Sequence, residues 1–364
     1  MWYIIDVLAV YSAVKSSNPR LTHVIPPRGR YGVCAVTSLG DDVFVVRASS
    51  QQIEVYDATT LTLQRHITVP GLGLYPCGLA VCPKNNCLYI SETSGIIRRI
   101  KLSGSNAVKK WFTARRPAGL SVNIAHNLVV ASNRANKLQE YTTHGSLVRE
   151  ICLKSGMSDA WHAIQLSTGD YVVSQFTSRG VVRKVGVDGQ VIQSYGQSQT
   201  SDVGQMKRPS SLAVTKNDDI LVADRGNNRI LSINRSTGCV QELALSVDGG
   251  IQCPHGLCLD ESRGRLYVSE RGGRHRVLVF YGVRPWRNYR VESRLFINVT
   301  VPFDNDYYFS WLHRIVLHFT NIILVTDIVD SLYRFAAVTT GGRVLFCSLC
   351  VCQSVPQNGT VYFT

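Results

Sequence analysis

One recurring pattern limits the folds open to this chain more than any other feature of its sequence. Each copy has a small residue, an apolar triplet, a polar turn, a second apolar run and a short polar group. The pattern is clear in YPCGLAVCPKNNCLYISE from Tyr75, RPSSLAVTKNDDILVAD from Arg208 and CPHGLCLDESRGRLYVSE from Cys253. Aligned on the small residue, six copies fall 41 to 48 residues apart, at Cys34, Gly78, Gly119, Ala163, Ser211 and Gly256.

Each copy contains four segments that are typical of short β-strands. In the fifth copy these segments are SLAV, ILVAD, ILSIN and VQELAL, and turn-forming residues such as Asn217 and Gly238 separate them. Four strands in a unit of roughly 40 to 50 residues predict one blade of an all-β propeller, whose blades must stack to bury their faces. Two β-sandwiches are disfavoured because their strands do not recur at such a regular spacing. The small residue is expected where the first strands crowd a central channel.

The segment ILVADRGNNRILSIN, residues 220–234, resembles the NHL repeat, and LYVSERGGRHRVLVF (266–280) and LYISETSGIIRRI (88–100) are weaker copies. This resemblance implies a six-bladed β-propeller of four-stranded blades. Six blades of this period fill residues 21–283, so Leu21–Ile25 is predicted to close the ring by pairing with Val277–Phe280. Closure removes the open sheet edges that a linear array would expose.

The rest of the chain divides into an N-terminal segment, residues 1–20, and a C-terminal part, residues 284–364. The C-terminal part is either an extension or a degenerate seventh blade, because ILVTD near residue 325 can be aligned with LVAD at 221–224. The apolar N-terminal run contains Asp6 and is too short to span a bilayer, so no membrane insertion is expected. We also expect a monomer.

The eleven cysteines are an odd number and most lie in apolar stretches, which favours a reducing, cytoplasmic location over secretion. Cys347, Cys350 and Cys352 lack the fourth ligand that structural zinc requires. No cofactor and no metal are therefore predicted.

The formal charge of +14 is segregated between the two loop faces of the predicted propeller. One face combines the loops between blades with those joining second and third strands, and it receives sixteen basic and six acidic residues. Aromatic residues enter the same face, and arginine with aromatics suits single-stranded nucleic acid. The predicted binding residues are Arg47, Arg115, Arg116, Arg134, Arg179, Lys207, Arg208, Arg225, Arg229, Arg271, Arg274, Tyr75, Trp161, His162 and His255.

Structural roles compete with binding at several of these positions. Asp224 and Arg229 are expected to bond each other within a blade, and Tyr75 and Trp161 can pack between blades. Catalysis is not expected: His162 and His255 alone do not supply the three protein ligands of a catalytic zinc, and the basic channel mouth does not suit calcium.

The sequence therefore predicts a non-enzymatic scaffold whose basic face binds RNA or an acidic protein, with RNA favoured. Some NHL propellers of the tripartite-motif class bind RNA on such a face, so the resemblance implies the same possibility here. The chain has no segment matching the RING, B-box or coiled coil of that class. The first alternative is a protein-interaction module, including an adaptor of the ubiquitin pathway. The second is a metal-dependent propeller lyase or hydrolase.

Overall fold

The computed structural model describes residues 19–283, except 29–30, 105, 114–115, 134, 155 and 197–204, and four strands outside this span. The chain divides into two compact units, residues 11–294 and residues 1–10 with 295–364. Of the four additional strands, Ile4–Tyr11 pairs with Ser293–Thr300, and Arg334–Thr340 pairs with Arg343–Leu349. The remainder of 284–364, on which the predicted seventh blade falls, lies outside the described residues.

The larger unit is a propeller of six blades, each a four-stranded antiparallel sheet. From the channel outwards, the strands are Val33–Leu39, Asp42–Arg47, Gln52–Asp57 and Leu63–Thr68 in blade 1; Pro76–Cys82, Cys87–Glu92, Ile96–Lys101 and Val108–Phe112 in blade 2; Pro117–Val122, Leu128–Ser132, Lys137–Tyr141 and Leu147–Cys152 in blade 3; Ala160–Gln165, Tyr171–Gln175, Val181–Val185 and Val191–Tyr195 in blade 4; Pro209–Val214, Ile220–Asp224, Arg229–Ile233 and Val240–Glu242 in blade 5; and Pro254–Asp260, Arg265–Glu270, Val277–Tyr281 and Arg20–Ile25 in blade 6.

Regular helix is almost absent from the described residues, in which the one named helical element is the 3₁₀ turn Arg225–Asn227. Within the same part of the chain, no helix is long and apolar enough to cross a membrane. The core consists of apolar side chains packed between neighbouring blades, such as Phe44 and Ile53 of blade 1 against Leu79 and Ile90 of blade 2. Each blade therefore depends on its neighbours for burial.

The ring closes at six blades, as the sequence predicts. Arg20–Ile25 pairs antiparallel with Val277–Tyr281, with Leu21 opposite Phe280 and Ile25 opposite Val277. The inner strand of blade 6 also lies against the inner strand of blade 1. The alternative of seven blades within the ring is therefore wrong.

The inner strands crowd one another, and this explains the small residue in the repeat. A Cβ added to Gly78 would lie 2.7 Å from the carbonyl oxygen of Ala118 and 2.8 Å from the amide nitrogen of Leu120, both in blade 3. At Gly256, the added Cβ would lie 3.3 Å from the Cα of Ala35 in blade 1. The predicted requirement for a small residue is confirmed at these positions.

The strand register differs by one residue from the sequence alignment in two blades. Gly78 pairs with the penultimate residue of the second strand, and the same place is held by Ala35 in blade 1 and His162 in blade 4. Alignment on Cys34 and Ala163 is therefore wrong by one position. The alignment followed the small residue, which lies one position before the paired residue in blade 1 and one position after it in blade 4. A β-bulge at the start of every inner strand inserts a residue there.

Buried ion pairs connect the second and third strands in three blades. These pairs are Glu92–Arg98, Asp224–Arg229 and Glu270–Arg276. In blade 5, Arg229 Nε lies 2.9 Å from Asp224 Oδ2, and the backbone N–H of Lys207 donates to Asp224 Oδ1 at 2.7 Å. The expected bond between Asp224 and Arg229 is confirmed, and the acid also anchors the segment that enters the blade.

Blade 1 carries a similar pair with the charges exchanged. Arg47 occupies the strand position of Glu92, and its Nε donates to Glu54 Oε1 at 2.9 Å. Its two terminal nitrogens donate to the carbonyl oxygens of Pro26 and His275, at 2.9 and 3.0 Å. Arg47 is 4% exposed and joins blade 1 to the segments at the closure of the ring.

Exchanging the two charges of blade 1 tests this structural role. Either single change, Arg47→Glu or Glu54→Arg, is expected to lower the free energy of unfolding by about 3 kcal/mol or more, because it leaves like charges buried together. The double variant recreates the orientation of Glu92 and Arg98, so it should recover the part of the loss that comes from like charges, but not the bonds of Arg47 to Pro26 and His275. Urea denaturation of all four proteins measures the coupling, and simple addition of the two losses would contradict the role.

Candidate functional site

In four blades, the residue inserted by the bulge stands at the same end of the channel. These residues are Cys34, Cys77, Trp161 and His255 in blades 1, 2, 4 and 6. All four line a cavity of about 380 Å³, including the space open to solvent. Bulges redirect side chains, so one repeated backbone irregularity builds the mouth of the channel.

Aromatic rings and arginines meet at this mouth, on the side formed by blades 4 to 6. Trp161 stacks on Phe176 with ring centroids 4.6 Å apart and lies 5.7 Å from the ring of His255. The guanidinium of Arg225 lies over the Phe176 ring, 5.5 Å from its centroid. Arg271 Nη1 lies 2.7 Å from His255 Nε2. We call these five residues the mouth cluster.

Both charged side chains of the mouth cluster, Arg225 and Arg271, are cations. Burial, followed by the neighbouring charges of Arg271 and Arg225, holds the pKa of His255 well below its usual value, so this imidazole is neutral at physiological pH. Burial and then the nearby Arg271 also lower the pKa of Arg225. Among the described residues, neither Arg225 nor Arg271 has a carboxylate within ion-pair distance.

His162 connects three blades and has no free ring nitrogen. Its Nδ1 accepts a hydrogen bond from the Leu212 N–H of blade 5 at 2.9 Å, so Nε2 carries the proton and donates to the Leu120 carbonyl of blade 3 at 2.9 Å. Its imidazole lies where Gly119 leaves space, since a Cβ there would be 2.5 Å from His162 Cδ2. Burial lowers the pKa of His162 to about 4.

Exposed basic residues extend the mouth cluster across blades 4 and 5. Arg179, Lys207 and Arg208 are exposed, and the backbone N–H of Arg208 donates to the carbonyl oxygen of Thr177 at 2.8 Å. The charges of Arg208 and Arg271 both act on Arg225. The structure therefore brings these predicted residues together. Arg116 is exposed on the segment that enters blade 3.

Three other predicted arginines are engaged in internal bonds. Arg47 and Arg229 form the buried pairs described above, and Arg229 also donates to the carbonyl oxygen of Gln205 at 2.8 Å. Arg274 is exposed, with Nη1 donating to the carbonyl oxygen of Asp248 at 2.7 Å. Arg115 and Arg134 lie outside the described residues. Tyr75 is 55% exposed on the segment that enters blade 2, rather than packed between blades.

Sequence reasoning missed Phe176, Cys34 and Cys77 as parts of the mouth. Phe176 follows the second strand of blade 4, where the Asp and Asn-Arg of the repeat are absent and no motif marks the loop. In the sequence, the bulge position is marked in three blades by the proline that precedes it: Pro76, Pro209 or Pro254. Within the described part of the chain, no three His, Cys, Asp or Glu side chains form a group able to hold a metal ion.

His162 should make stability depend on pH. Its pKa is about 4 in the fold, against 6.5 for an unperturbed histidine, so the unfolded chain takes up a proton first as the pH falls. Its stabilising contribution is complete above pH 6.5 and is lost progressively towards pH 4. Between pH 7.5 and 5.0, the native protein should lose about 2 kcal/mol more than a His162→Asn variant. Equal losses in urea denaturation would contradict this assignment.

The family model described as the NHL repeat matches residues 206–231 and 252–280. These segments contain the first two strands of blade 5 and, up to residue 280, the inner three strands of blade 6. The resemblance predicted for these two blades is therefore confirmed. No curated protein matches the chain significantly.

Solved structures share the fold at low sequence identity. Virginiamycin B lyase from Staphylococcus aureus, as a catalytically inactive variant with quinupristin, has a TM-score of 0.54 and 13% identity, covering 76% of this chain and 99% of that one. Kuenenia stuttgartiensis hydrazine synthase gives 0.52 and 15%, covering 71% and 97%. A protein of unknown function from Bacteroides thetaiotaomicron gives 0.56 and 12%, covering 77% and 76%. At these identities, the likeness establishes the propeller alone.

Proposed function

Because the chain is a six-bladed β-propeller with NHL repeats in blades 5 and 6, we propose that it is a binding module for single-stranded RNA. The RNA lies across the mouth cluster and the adjacent exposed residues Arg179, Lys207 and Arg208. The observation that carries this proposal is the pair Arg225 and Arg271, whose charges have no carboxylate partner among the described residues.

Electrostatics supply the affinity for the RNA backbone. Other arginines near the same loops, such as Arg229 and Arg276, are neutralised by buried acids of their own blades. Arg271 instead lies close enough to Arg225 for its charge to add to the effect of burial in lowering the pKa of Arg225. Neighbouring cations repel one another, so an approaching phosphate relieves this repulsion as well as forming charge-assisted hydrogen bonds.

Aromatic surface favours a nucleic acid over an acidic protein as the partner. Trp161 and Phe176 are only half-buried and adjoin the arginines, and Tyr31 and Tyr75 are 53% and 55% exposed on segments that enter blades 1 and 2. Unpaired bases can stack on such rings while the arginines neutralise phosphates. We propose that the protein binds RNA as a monomer in the cytoplasm. The cytoplasmic location is supported by the eight described cysteines, which are all free thiols.

A binding role is supported over catalysis by the bonding of the histidines. Both ring nitrogens of His162 are held by backbone groups, so this imidazole does not reach a substrate. His255 is buried, neutral and bonded to Arg271 rather than to an acid that could orient it as a general base.

Removing the free charges should weaken RNA binding without unfolding the propeller. We expect the double variant Arg208→Glu and Arg225→Glu to bind a fluorescent 12-nucleotide oligouridine at least tenfold more weakly in 50 mM salt. The slope of log Kd against log salt concentration should fall by about 1 for each phosphate that the variant no longer neutralises. Fluorescence anisotropy measures both quantities.

The matched control is Lys84→Glu with Lys216→Glu, which makes the same change of charge on exposed turns at the opposite loop face. Its affinity should stay within about twofold of the unaltered protein, because these turns follow the ends of the inner strands, away from the strand starts at the mouth. Equal weakening by both double variants would show that net charge, rather than this surface, attracts the RNA. Capture of an acidic polypeptide through the mouth, without RNA affinity, would contradict the proposal.

A further inference from the structure

The buried imidazole of His255 has an unsatisfied hydrogen-bond donor. Arg271 Nη1 lies 2.7 Å from His255 Nε2, and a guanidinium can only donate, so Nε2 is the acceptor and the ring proton is on Nδ1. His255 is 2% exposed, and its Nδ1 has no hydrogen-bond partner in any other described residue. A buried donor without a partner is costly, so a polar ligand is the natural acceptor at this position.

Two guanidinium groups lie near the His255 ring. Arg271 bonds His255 directly, and its charge also acts on the thiols of Cys34 and Cys77, two residues that line the cavity. Arg225 approaches from blade 5 and is held over Phe176. Two cations and one neutral N–H donor therefore belong to the mouth cluster, without a carboxylate within ion-pair distance of either arginine among the described residues.

The shape of the cavity favours the end of a strand over its middle. The walls are the starts of the six inner strands, with Gly78, Gly119 and Gly256 among the lining residues. Its volume of about 380 Å³ includes the space open to solvent, and His162 spans blades 3, 4 and 5 along its wall. A group projecting from a chain end can enter such an opening, whereas a phosphodiester within a strand must bring its two flanking nucleotides with it.

We propose that the channel mouth binds the terminal phosphate of single-stranded RNA, an inference that rests on the RNA-binding function proposed above. Arg225, Arg271 and the Nδ1–H of His255 hold the phosphate. A terminal phosphate monoester carries a charge between about −1.5 and −2 and three free oxygens, matching three donor groups. An internal phosphodiester carries one charge and two free oxygens, so it satisfies the same donors less completely.

The experiment compares 12-nucleotide oligouridines that carry an internal fluorophore and differ only at their ends. One has a 5′-phosphate, one has a 3′-phosphate and one has hydroxyls at both ends. We expect one phosphorylated end to lower Kd at least tenfold relative to the hydroxyl-ended strand in anisotropy titrations. Millimolar inorganic phosphate should compete with this advantage, while inorganic sulfate at matched ionic strength controls for salt.

Two substitutions of His255 distinguish the contribution of the Nδ1–H donor from that of the hydrogen bond between Nε2 and Arg271. In His255→Asn, the side-chain amide can present an N–H near the place of Nδ1, so the preference for a phosphorylated end should persist. In His255→Gln, the amide reaches the place of Nε2 and can still accept from Arg271, but the donor is lost. For this variant, the ratio of the Kd of the hydroxyl-ended strand to the Kd of the preferred phosphorylated strand should then approach one. Thermal melting of both variants verifies that the propeller remains folded.

The outcomes distinguish this inference from the function on which it rests. If all three oligonucleotides bind equally well, the terminal-phosphate site is wrong and RNA binding by the face stands. If none binds at low salt, both proposals fail. If the preference survives His255→Gln and is lost in His255→Asn, the assigned donor is wrong. Lys84→Glu, at the opposite loop face, should leave the preference unchanged.

Discussion

The close approach of six inner strands around one channel is the constraint on which the rest of this structure depends. It requires Gly78 and Gly119 to lack a Cβ, because neighbouring blades occupy that space. The same approach lets Ser91 Oγ accept from the Gly78 N–H and donate to the Ala118 carbonyl of the next blade, at 2.9 and 2.6 Å. Backbone groups at the channel are thereby satisfied between blades, which makes the ring a single cooperative unit.

The β-bulge at the start of each inner strand links this packing to the proposed function. It allows one residue per blade to depart from the crowded sheet, and in blades 4 and 6 that residue is large: Trp161 and His255. Polar pairs fix the surrounding loops, since Asp224 and Glu270 each hold an arginine and the backbone that enters the blade. Arg225 has no such acid within ion-pair distance in the described structure, so its charge remains available at the mouth.

Much of the fold follows from the sequence because packing imposes a repeat that can be read directly. The number of blades, the closing strand and the need for small residues were all predictable from spacing and residue size. The register of blade 4 was not, because the large residue His162 holds the position where a small residue was expected, and the neighbouring Ala163 was aligned instead. Nor could the ring-closing role of Arg47 be read, since its partner Glu54 reverses the charge order seen in blade 2.

The candidate site was predictable only in part, for an electrostatic reason. Sorting charges by loop identifies which face is basic. It does not tell a neutralised arginine such as Arg229 from one such as Arg225, which has no acid within ion-pair distance in the described part of the chain. That distinction depends on contacts of a few ångströms between strands. Phe176 could not be predicted as part of the site because blade 4 lacks the repeat motif that would identify the loop after its second strand. Its importance emerges from its stacking on Trp161.

Photocrosslinking of 4-thiouridine-substituted RNA to the folded protein, followed by mass spectrometry of the crosslinked peptides, tests the central claim most directly. The account predicts crosslinks to the segments around Trp161, Phe176 and Arg225, because bases stack on the rings of the mouth cluster. It predicts none in the turns around Lys84 and Lys216 on the opposite face. Crosslinks confined to those turns or to the outer strands of the blades would contradict the account.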